Sequence, residues 1–128
     1  VGELVALRAF PNCQIRSFGS GQWVHKGKAR PEDIAEAKRA LEYSKQVVFS
    51  GESDLVILDE VINAIWFELI TEQEVLDLIV AKPDHVELVL TGRNASSKLI
   101  ENAGLVTEMR QLKHPFEQGL GARKGIEF

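Results

Sequence analysis

The centre of the chain contains four consecutive aliphatic residues followed at once by two acids, Leu55-Val56-Ile57-Leu58-Asp59-Glu60. An unbroken apolar run of this length is typical of a strand that is buried on both faces, as strands of parallel sheets are. We therefore predict a strand over residues 54–60. Parallel strands need long crossover connections, so helices are expected before and after it.

Upstream of this strand, the sequence predicts an amphipathic helix over residues 31–49. Pro31 suits the first helical position, and two acids follow it in the first turn, where they interact favourably with the helix dipole. Apolar residues then recur near a period of 3.6 and form one stripe for burial. Gly51 is expected to end the helix.

Downstream of the strand, the sequence predicts a second helix and a second strand. Thr71 and Glu74 have the spacing of a capping box, so a helix is expected to start at Thr71. It is expected to stop before Pro83, because the residue that precedes a proline disfavours helical geometry. Residues 85–90 are again rich in Val and Leu and predict a strand.

Three shorter segments complete the pattern. Residues 97–103 are expected to form a short helix capped by Gly104. Residues 105–109 are expected to form a third apolar strand, and residues 14–18 a short alternating one. Strand and helix thus alternate along the chain, which predicts an α/β fold with a mostly parallel sheet. In such sheets, ligands bind beyond the carboxyl ends of the strands.

The acids at the end of the 54–60 strand are the sharpest candidates for chemistry. Aliphatic residues closed by Asp59 and Glu60 form the pattern of a Walker B strand, in which a buried strand holds two carboxylates rigidly at its end. One carboxylate can hold Mg²⁺ directly or through water, and the other can orient a reactant. The alternative is a buried strand whose terminal acids are solvated or cap a helix.

Two further groups of residues suit a ligand that bears phosphate. After the 85–90 strand, Thr91, Gly92 and Arg93 combine a glycine that allows close backbone approach with a forked guanidinium that matches phosphate oxygens. Near the C-terminus, basic residues that include Lys124 are spaced by glycines and can line an anionic ligand. The alternatives are an exposed turn and a basic surface tail.

The composition of the chain limits which classes of protein it can belong to. The chain has 128 residues, of which 45% are hydrophobic and 27% charged, and this fits one soluble globular domain over residues 1–128. No apolar run approaches the roughly 20 residues of a membrane helix. The formal net charge of −4 disfavours a nucleic-acid binder. The lone Cys13 excludes an internal disulfide framework, and these features point to the cytoplasm.

Five segments occur in order with ordinary spacing: residues 55–60 (LVILDE), 89–93 (VLTGR), 105–110 (LVTEMR), 113–116 (KHPF) and 122–128 (ARKGIEF). This series resembles the ATP:corrinoid adenosyltransferases of the CobA/BtuR type. The resemblance runs from about Gln14 to the last residue. Its C-terminal segments are the most specific part, whereas an Asp-Glu strand alone is common.

The resemblance implies a P-loop, RecA-like α/β fold and usually a homodimer. It implies transfer of the 5′-deoxyadenosyl group of ATP to the cobalt(I) of a corrinoid, cobalamin or a cobinamide-type precursor, with release of triphosphate. A reductase would supply the electron that forms cobalt(I). The family's Walker A loop, roughly G-x-G-K-G-K-T, is not found in this sequence. The resemblance therefore predicts about 40 further residues before Val1, which carry that loop and its strand.

The missing strand leads to an expectation about the sheet. The 54–60 and 85–90 strands are expected to pair with each other, whereas the 105–109 strand would lack a neighbour. Unpaired backbone groups at such a gap are costly.

The resemblance also implies roles for individual residues. Glu60 would bind Mg²⁺ with support from Asp59, Arg93 would contact phosphate, and Trp23 would pack against the corrinoid. Cobalt(I) is itself the nucleophile, so catalysis would consist mainly of positioning and of stabilising the charge on the leaving triphosphate. Two other classes remain open: a generic P-loop ATPase or kinase-like enzyme, and a non-catalytic interaction domain that is a remnant of such a protein.

Overall fold

The computed structural model describes residues 2–19 and 21–127. The chain divides into two compact units, one made of residues 1–17 and 106–128 and the other of residues 18–105. The single domain expected over the whole chain stays a prediction. In chain order, the elements are α1 (Gly2–Leu7), α2 (Pro31–Ser50), β1 (Leu55–Leu58), α3 (Val61–Trp66), α4 (Glu72–Ala81), β2 (Glu87–Leu90), α5 (Ser97–Glu101) and a 3₁₀ helix (Pro115–Gln118).

Helix α2 confirms the helix predicted over residues 31–49. Directly before it, the guanidinium of Arg30 forms an ion pair of 2.7 Å with the buried carboxylate of Asp33. The side-chain hydrogen bond to Asp33 raises the pKa of Arg30 above its usual value. Gly51 ends the helix with φ at 68°, in the left-handed region that glycine adopts without a steric penalty.

The two strands pair in parallel, and this confirms the α/β class and the expected pairing of the two apolar runs. Leu55 lies opposite Glu87, and Leu58 lies opposite Leu90. Within the described residues the sheet has two strands, so it is small. Its importance for function is that both strands end at the same edge.

One face of the sheet packs into the core, whereas the other is exposed. Val56 is buried in one cluster with Val48 of α2 and with residues of α4. On the opposite face, Leu55 and Ile57 are 53% and 57% exposed. The prediction that the 54–60 strand is buried on both faces is therefore wrong. Side chains alternate along a strand, and the core cluster packs only against the face that carries Val56.

Helix α4 begins at the predicted capping box. The Thr71 hydroxyl accepts a hydrogen bond of 3.3 Å from the Glu74 backbone, and the Glu74 carboxylate accepts one of 2.9 Å from the Thr71 backbone. The backbone hydrogen bond from Thr71 is the main reason why the pKa of Glu74 lies below its ordinary value. The helix ends at Ala81, before Pro83, as predicted.

Three predicted features are wrong. Residues 14–18 and 105–109 form no strand, because a strand needs a hydrogen-bonded neighbour and the two strands of the sheet bond only to each other. The gap expected beside a 105–109 strand stays a prediction. Helix α5 is capped by Asn102 rather than by Gly104, since the Asn102 side chain donates a hydrogen bond of 2.8 Å to the Lys98 carbonyl.

Several helices were not predicted from the sequence, namely α1, α3 and the 3₁₀ helix. Helices α1 and α3 have six residues each, and a helical period is not visible over so few positions. In the part of the chain that the structure describes, no helix is long and apolar enough to cross a membrane.

Candidate functional site

The carboxyl ends of the two strands bring most of the predicted site residues together. Because Leu58 lies opposite Leu90, the acid pair after β1 comes next to the turn after β2. The backbone N–H of Thr91 donates a hydrogen bond of 3.3 Å to the carbonyl of Leu58 and continues the ladder by one residue. Asp59 therefore lies beside Thr91, as expected for a parallel pair.

The hydroxyl of Thr91 connects the two strand ends. It accepts a hydrogen bond of 2.8 Å from the backbone N–H of Glu60 and donates one of 2.6 Å to Oδ1 of Asp59. Both carboxylates are exposed. Among the described residues, neither Oδ2 of Asp59 nor the carboxylate of Glu60 has a hydrogen-bond partner. These oxygens are thus open to a ligand.

Glu60 has an unusual backbone conformation at the point where β1 gives way to α3. Its φ is 60°, in the left-handed region, where a side chain is sterically disfavoured. Its carbonyl accepts the first hydrogen bond of α3, 3.1 Å from the N–H of Ala64. The chain thus turns sharply at Glu60, and the turn leaves the carboxylate in solvent at the end of the strand.

Gly92 packs against the first turn of α3. Its φ is 140°, and a Cβ at this position would lie 2.7 Å from Cβ of Ile62 and 3.0 Å from the backbone nitrogen of Asn63. The backbone N–H of Ile62 also donates a hydrogen bond of 3.1 Å to the carbonyl of Thr91. Only glycine fits here, and the close approach that the sequence suggested is made to α3.

Asn63 is a residue that sequence reasoning did not assign to the site. Its Oδ1 accepts a hydrogen bond of 2.8 Å from the backbone N–H of Arg93. The Arg93 side chain is exposed, and its guanidinium has no partner among the described residues. Since α3 was not predicted, no sequence signal placed Asn63 opposite the turn after β2.

Trp23 lies in the loop before α2, and the residue is 95% exposed. Gln22 beside it accepts a hydrogen bond of 2.7 Å from the guanidinium of Arg30. Farther along the loop, the ammonium of Lys26 lies 3.4 Å from the centre of the Trp66 ring, within the range of a cation–π interaction. The loop is therefore held at two points, whereas Trp23 itself packs against almost nothing in the described chain.

A pocket of about 370 Å³ is lined in part by this loop, through Lys26. Lys26 and Trp66 form part of its wall, together with Ile62 of α3 and Asn94 from the turn after β2. Ile62 also contacts Gly92. The pocket therefore adjoins the cluster at the strand ends.

Lys124 belongs to the unit made of residues 1–17 and 106–128. It is exposed, and its neighbour Arg123 forms an ion pair of 2.7 Å with Glu127. The side-chain hydrogen bond between this pair raises the pKa of Arg123 and lowers that of Glu127. In the KHPF segment, Nδ1 of His114 accepts a hydrogen bond of 3.1 Å from the Phe116 backbone and caps the 3₁₀ helix.

The donor set at the strand ends suits magnesium better than zinc. Across residues 2–19 and 21–127, no group of three or more His, Cys, Asp or Glu side chains is placed to hold a metal. Mg²⁺, however, is usually bound through one or two carboxylates together with water and substrate phosphates. Asp59 and Glu60, with their open oxygens, fit that pattern.

Comparison with known proteins shows the family of the chain. The family model described as "ATP:corrinoid adenosyltransferase BtuR/CobO/CobP" matches residues 1–128. A "Corrinoid adenosyltransferase" from Sinorhizobium sp is 41% identical over 128 residues, which cover 98% of this chain and 59% of that protein. One from Pseudomonas aeruginosa is 36% identical and is covered over 63% of its length.

A third relative is the "Corrinoid adenosyltransferase CobA" of Salmonella typhimurium, which is 28% identical over 99 residues, or 77% of this chain and 50% of that protein. The chain thus spans between half and two thirds of the length of these curated relatives. The match to the family model covers every residue, and the chain belongs to the ATP:corrinoid adenosyltransferase family.

Proposed function

We propose that the protein transfers the 5′-deoxyadenosyl group of ATP to the cobalt(I) of a corrinoid and releases triphosphate. The observation that carries this proposal is the family match over residues 1–128. The cluster at the strand ends supports it, because it joins two exposed carboxylates to a turn that bears the exposed guanidinium of Arg93. A P-loop, RecA-like fold for the protein is part of the same proposal.

The proposed reaction is a substitution at C5′ of ATP. The bond between C5′ and its triphosphate oxygen breaks while a cobalt–carbon bond forms. Cobalt(I) supplies the electron pair of the new bond, and triphosphate leaves with the pair of the old one. The protein therefore has to supply position and positive charge near the leaving group rather than a nucleophile.

The residues at the strand ends would bind the triphosphate side of ATP. Asp59 and Glu60 would hold Mg²⁺, which when bound offsets negative charge on phosphate oxygens. Arg93 would add a guanidinium on a turn whose close packing depends on Gly92. Thr91 belongs to the same cluster through its two hydrogen bonds. Lys124 would contribute a further cation.

The loop before α2 would serve the corrinoid. An indole ring presents a large apolar face, and that of Trp23 is almost fully exposed. It would pack against the corrinoid and help to hold the cobalt without its lower ligand, which eases reduction to cobalt(I). A reductase that delivers the electron, a homodimer and a cytoplasmic location complete the proposal.

Two alternatives are less well supported. A generic P-loop ATPase or kinase-like enzyme would share the acid pair, but the matched relatives carry the name corrinoid adenosyltransferase. A non-catalytic remnant is likewise not favoured by a family match that includes the strand-end residues.

One assay separates the three functions. Full-length protein is incubated without oxygen with MgATP and chemically reduced cobalamin, and the light-sensitive cobalt–carbon product and the released anions are measured. The proposal predicts one triphosphate for each alkylated corrinoid. Release of phosphate without corrinoid would identify an ATPase, and intact ATP with unmodified corrinoid would identify a non-catalytic protein.

A further inference from the structure

The hydroxyl of Thr91 has its hydrogen-bonding roles fixed by its two neighbours. The backbone nitrogen of Glu60, 2.8 Å away, can only donate. Oδ1 of Asp59, 2.6 Å away, belongs to a carboxylate and can only accept. The hydroxyl must therefore accept from Glu60 and donate to Asp59.

A threonine hydroxyl can donate one hydrogen bond, and that of Thr91 donates it to Asp59. Phosphate oxygens at neutral pH act mainly as acceptors, so they need donors from the protein. In this arrangement Thr91 has no proton left for a phosphate oxygen. Its hydroxyl holds one carboxylate oxygen in place and leaves Oδ2 of Asp59 as the open one.

We infer that Thr91 is a positioning residue that orients the metal-binding carboxylate of Asp59, and that it does not donate to phosphate. This inference rests on the proposed function of the acid pair. The same hydroxyl holds the backbone of Glu60, where the chain adopts its left-handed turn. One side chain thus holds a carboxylate oxygen of Asp59 and the backbone of Glu60.

The test uses the full-length protein and three single variants. Thr91→Val keeps the shape of the side chain and removes the hydroxyl, whereas Thr91→Ser keeps the hydroxyl. Thr107→Val is the matched control, because Thr107 is an exposed threonine, whereas the hydroxyl that bonds Asp59 and the Glu60 backbone is that of Thr91. If Thr91→Val does not fold, Thr91→Ala replaces it, since alanine is smaller and cannot clash.

The first measurement is Mn²⁺ binding to the nucleotide-free protein, followed by the electron paramagnetic resonance signal of free Mn²⁺. Loss of a hydrogen-bonding partner behind a metal ligand typically weakens metal binding by about tenfold or more. Thr91→Val is expected to raise the dissociation constant by about that factor. Thr91→Ser and Thr107→Val are expected to stay within about twofold of the parent.

The second measurement separates metal use from nucleotide use. Thr91→Val is expected to raise the Mg²⁺ concentration for half-maximal activity at saturating ATP, and to leave the KM for ATP unchanged at saturating Mg²⁺. A raised KM for ATP with unchanged Mn²⁺ binding would show that Thr91 contacts phosphate and would overturn the inference.

The Mn²⁺ arm also distinguishes the inference from the proposed function. If the parent binds Mn²⁺ through Asp59 but shows no adenosyl transfer, the function is wrong and the role of Thr91 stands. If Asp59→Ala does not weaken Mn²⁺ binding, the metal assignment of Asp59 and this inference both fail.

Discussion

Glu60 combines a left-handed backbone with a functional carboxylate, and replacement by glycine separates these two properties. Its φ of 60° is sterically disfavoured for any residue with a side chain. Glu60→Gly relieves that conflict and removes the carboxylate, whereas Glu60→Ala removes the carboxylate and keeps the conflict. A comparison of the two variants therefore isolates the contribution of the backbone conformation to stability.

The size of the effect follows from two opposing terms. A left-handed conformation costs a non-glycine residue about 1–2 kcal/mol. Replacement by glycine removes this cost but lowers the free energy of unfolding by about 0.4–1 kcal/mol, because a glycine gives the unfolded chain more conformational entropy. Glu60→Gly should therefore be more stable than Glu60→Ala by about 0.5–1 kcal/mol. For a domain of this size, that is a rise in Tm of roughly 2–4 °C.

Activity should fall to the same low level in both variants. Glu60 would hold the Mg²⁺ that offsets negative charge on the leaving triphosphate, and loss of such charge stabilisation typically costs a factor of about 100 or more in turnover. Stability is measured by thermal unfolding of the full-length protein, and activity by adenosyl transfer to reduced cobalamin. The combination of higher stability and lost activity in Glu60→Gly is the expected signature.

Glu68 is the matched control, since its φ is 61° and it is also an exposed glutamate. Glu68→Gly should be more stable than Glu68→Ala by a similar margin. Equal Tm values for Glu60→Gly and Glu60→Ala would refute the argument from strain. Parent-like turnover in both would refute the role of the carboxylate.

Three other substitutions and one change of pH test further parts of the molecule. Arg93→Ala should raise the KM for ATP about tenfold or more, because a charge-assisted contact is lost; an unchanged ATP titration would remove Arg93 from the site. Gly92→Ala should lower stability by about 2 kcal/mol, because its Cβ would lie 2.7 Å from Cβ of Ile62; an unchanged Tm would contradict that packing. Thr71→Ala should cost about 1 kcal/mol of stability. The pKa of Glu74 in the folded protein lies below the ordinary 4.5, so its ionised carboxylate stabilises the fold above that pH. This stabilisation is lost as the pH falls below 4.5. Urea unfolding from about pH 6 to about pH 3 should show this loss, and Glu74→Gln should reduce it.

The elements predicted well from the sequence are those with strong local signals. Helix α2 has a proline at its start and Gly51 at its end, and α4 has a reciprocal pair of hydrogen bonds between Thr71 and Glu74. Such signals act within a few residues, so they can be read without knowledge of the fold. The element types and starts were therefore correct.

The failures concern elements that depend on partners elsewhere in the chain. Residues 105–109 have the composition of a strand, but Leu105 and Met109 are 86% and 94% exposed, and no segment within residues 2–19 and 21–127 pairs with them as a strand. Composition shows that a segment can be a strand, whereas pairing decides whether it is one. For the same reason, the burial expected for both faces of β1 was not found.

The site itself could be predicted in part, because the register of the two strands determines which residues meet at their ends. With Leu58 opposite Leu90, the residues that follow the two strands must come together, and the sequence names them as Asp59 and Thr91. A slip of one residue would place Glu60 beside Thr91 and would reverse which face of the sheet each side chain occupies. The hydroxyl bond to Asp59 and the backbone bond from Glu60 both depend on this register.

What the sequence could not show is the left-handed turn at Glu60, which starts α3 and carries Asn63 to the N–H of Arg93. Short helices and single backbone angles leave no periodic signal, so the identities of the acids were predictable and the directions of their side chains were not.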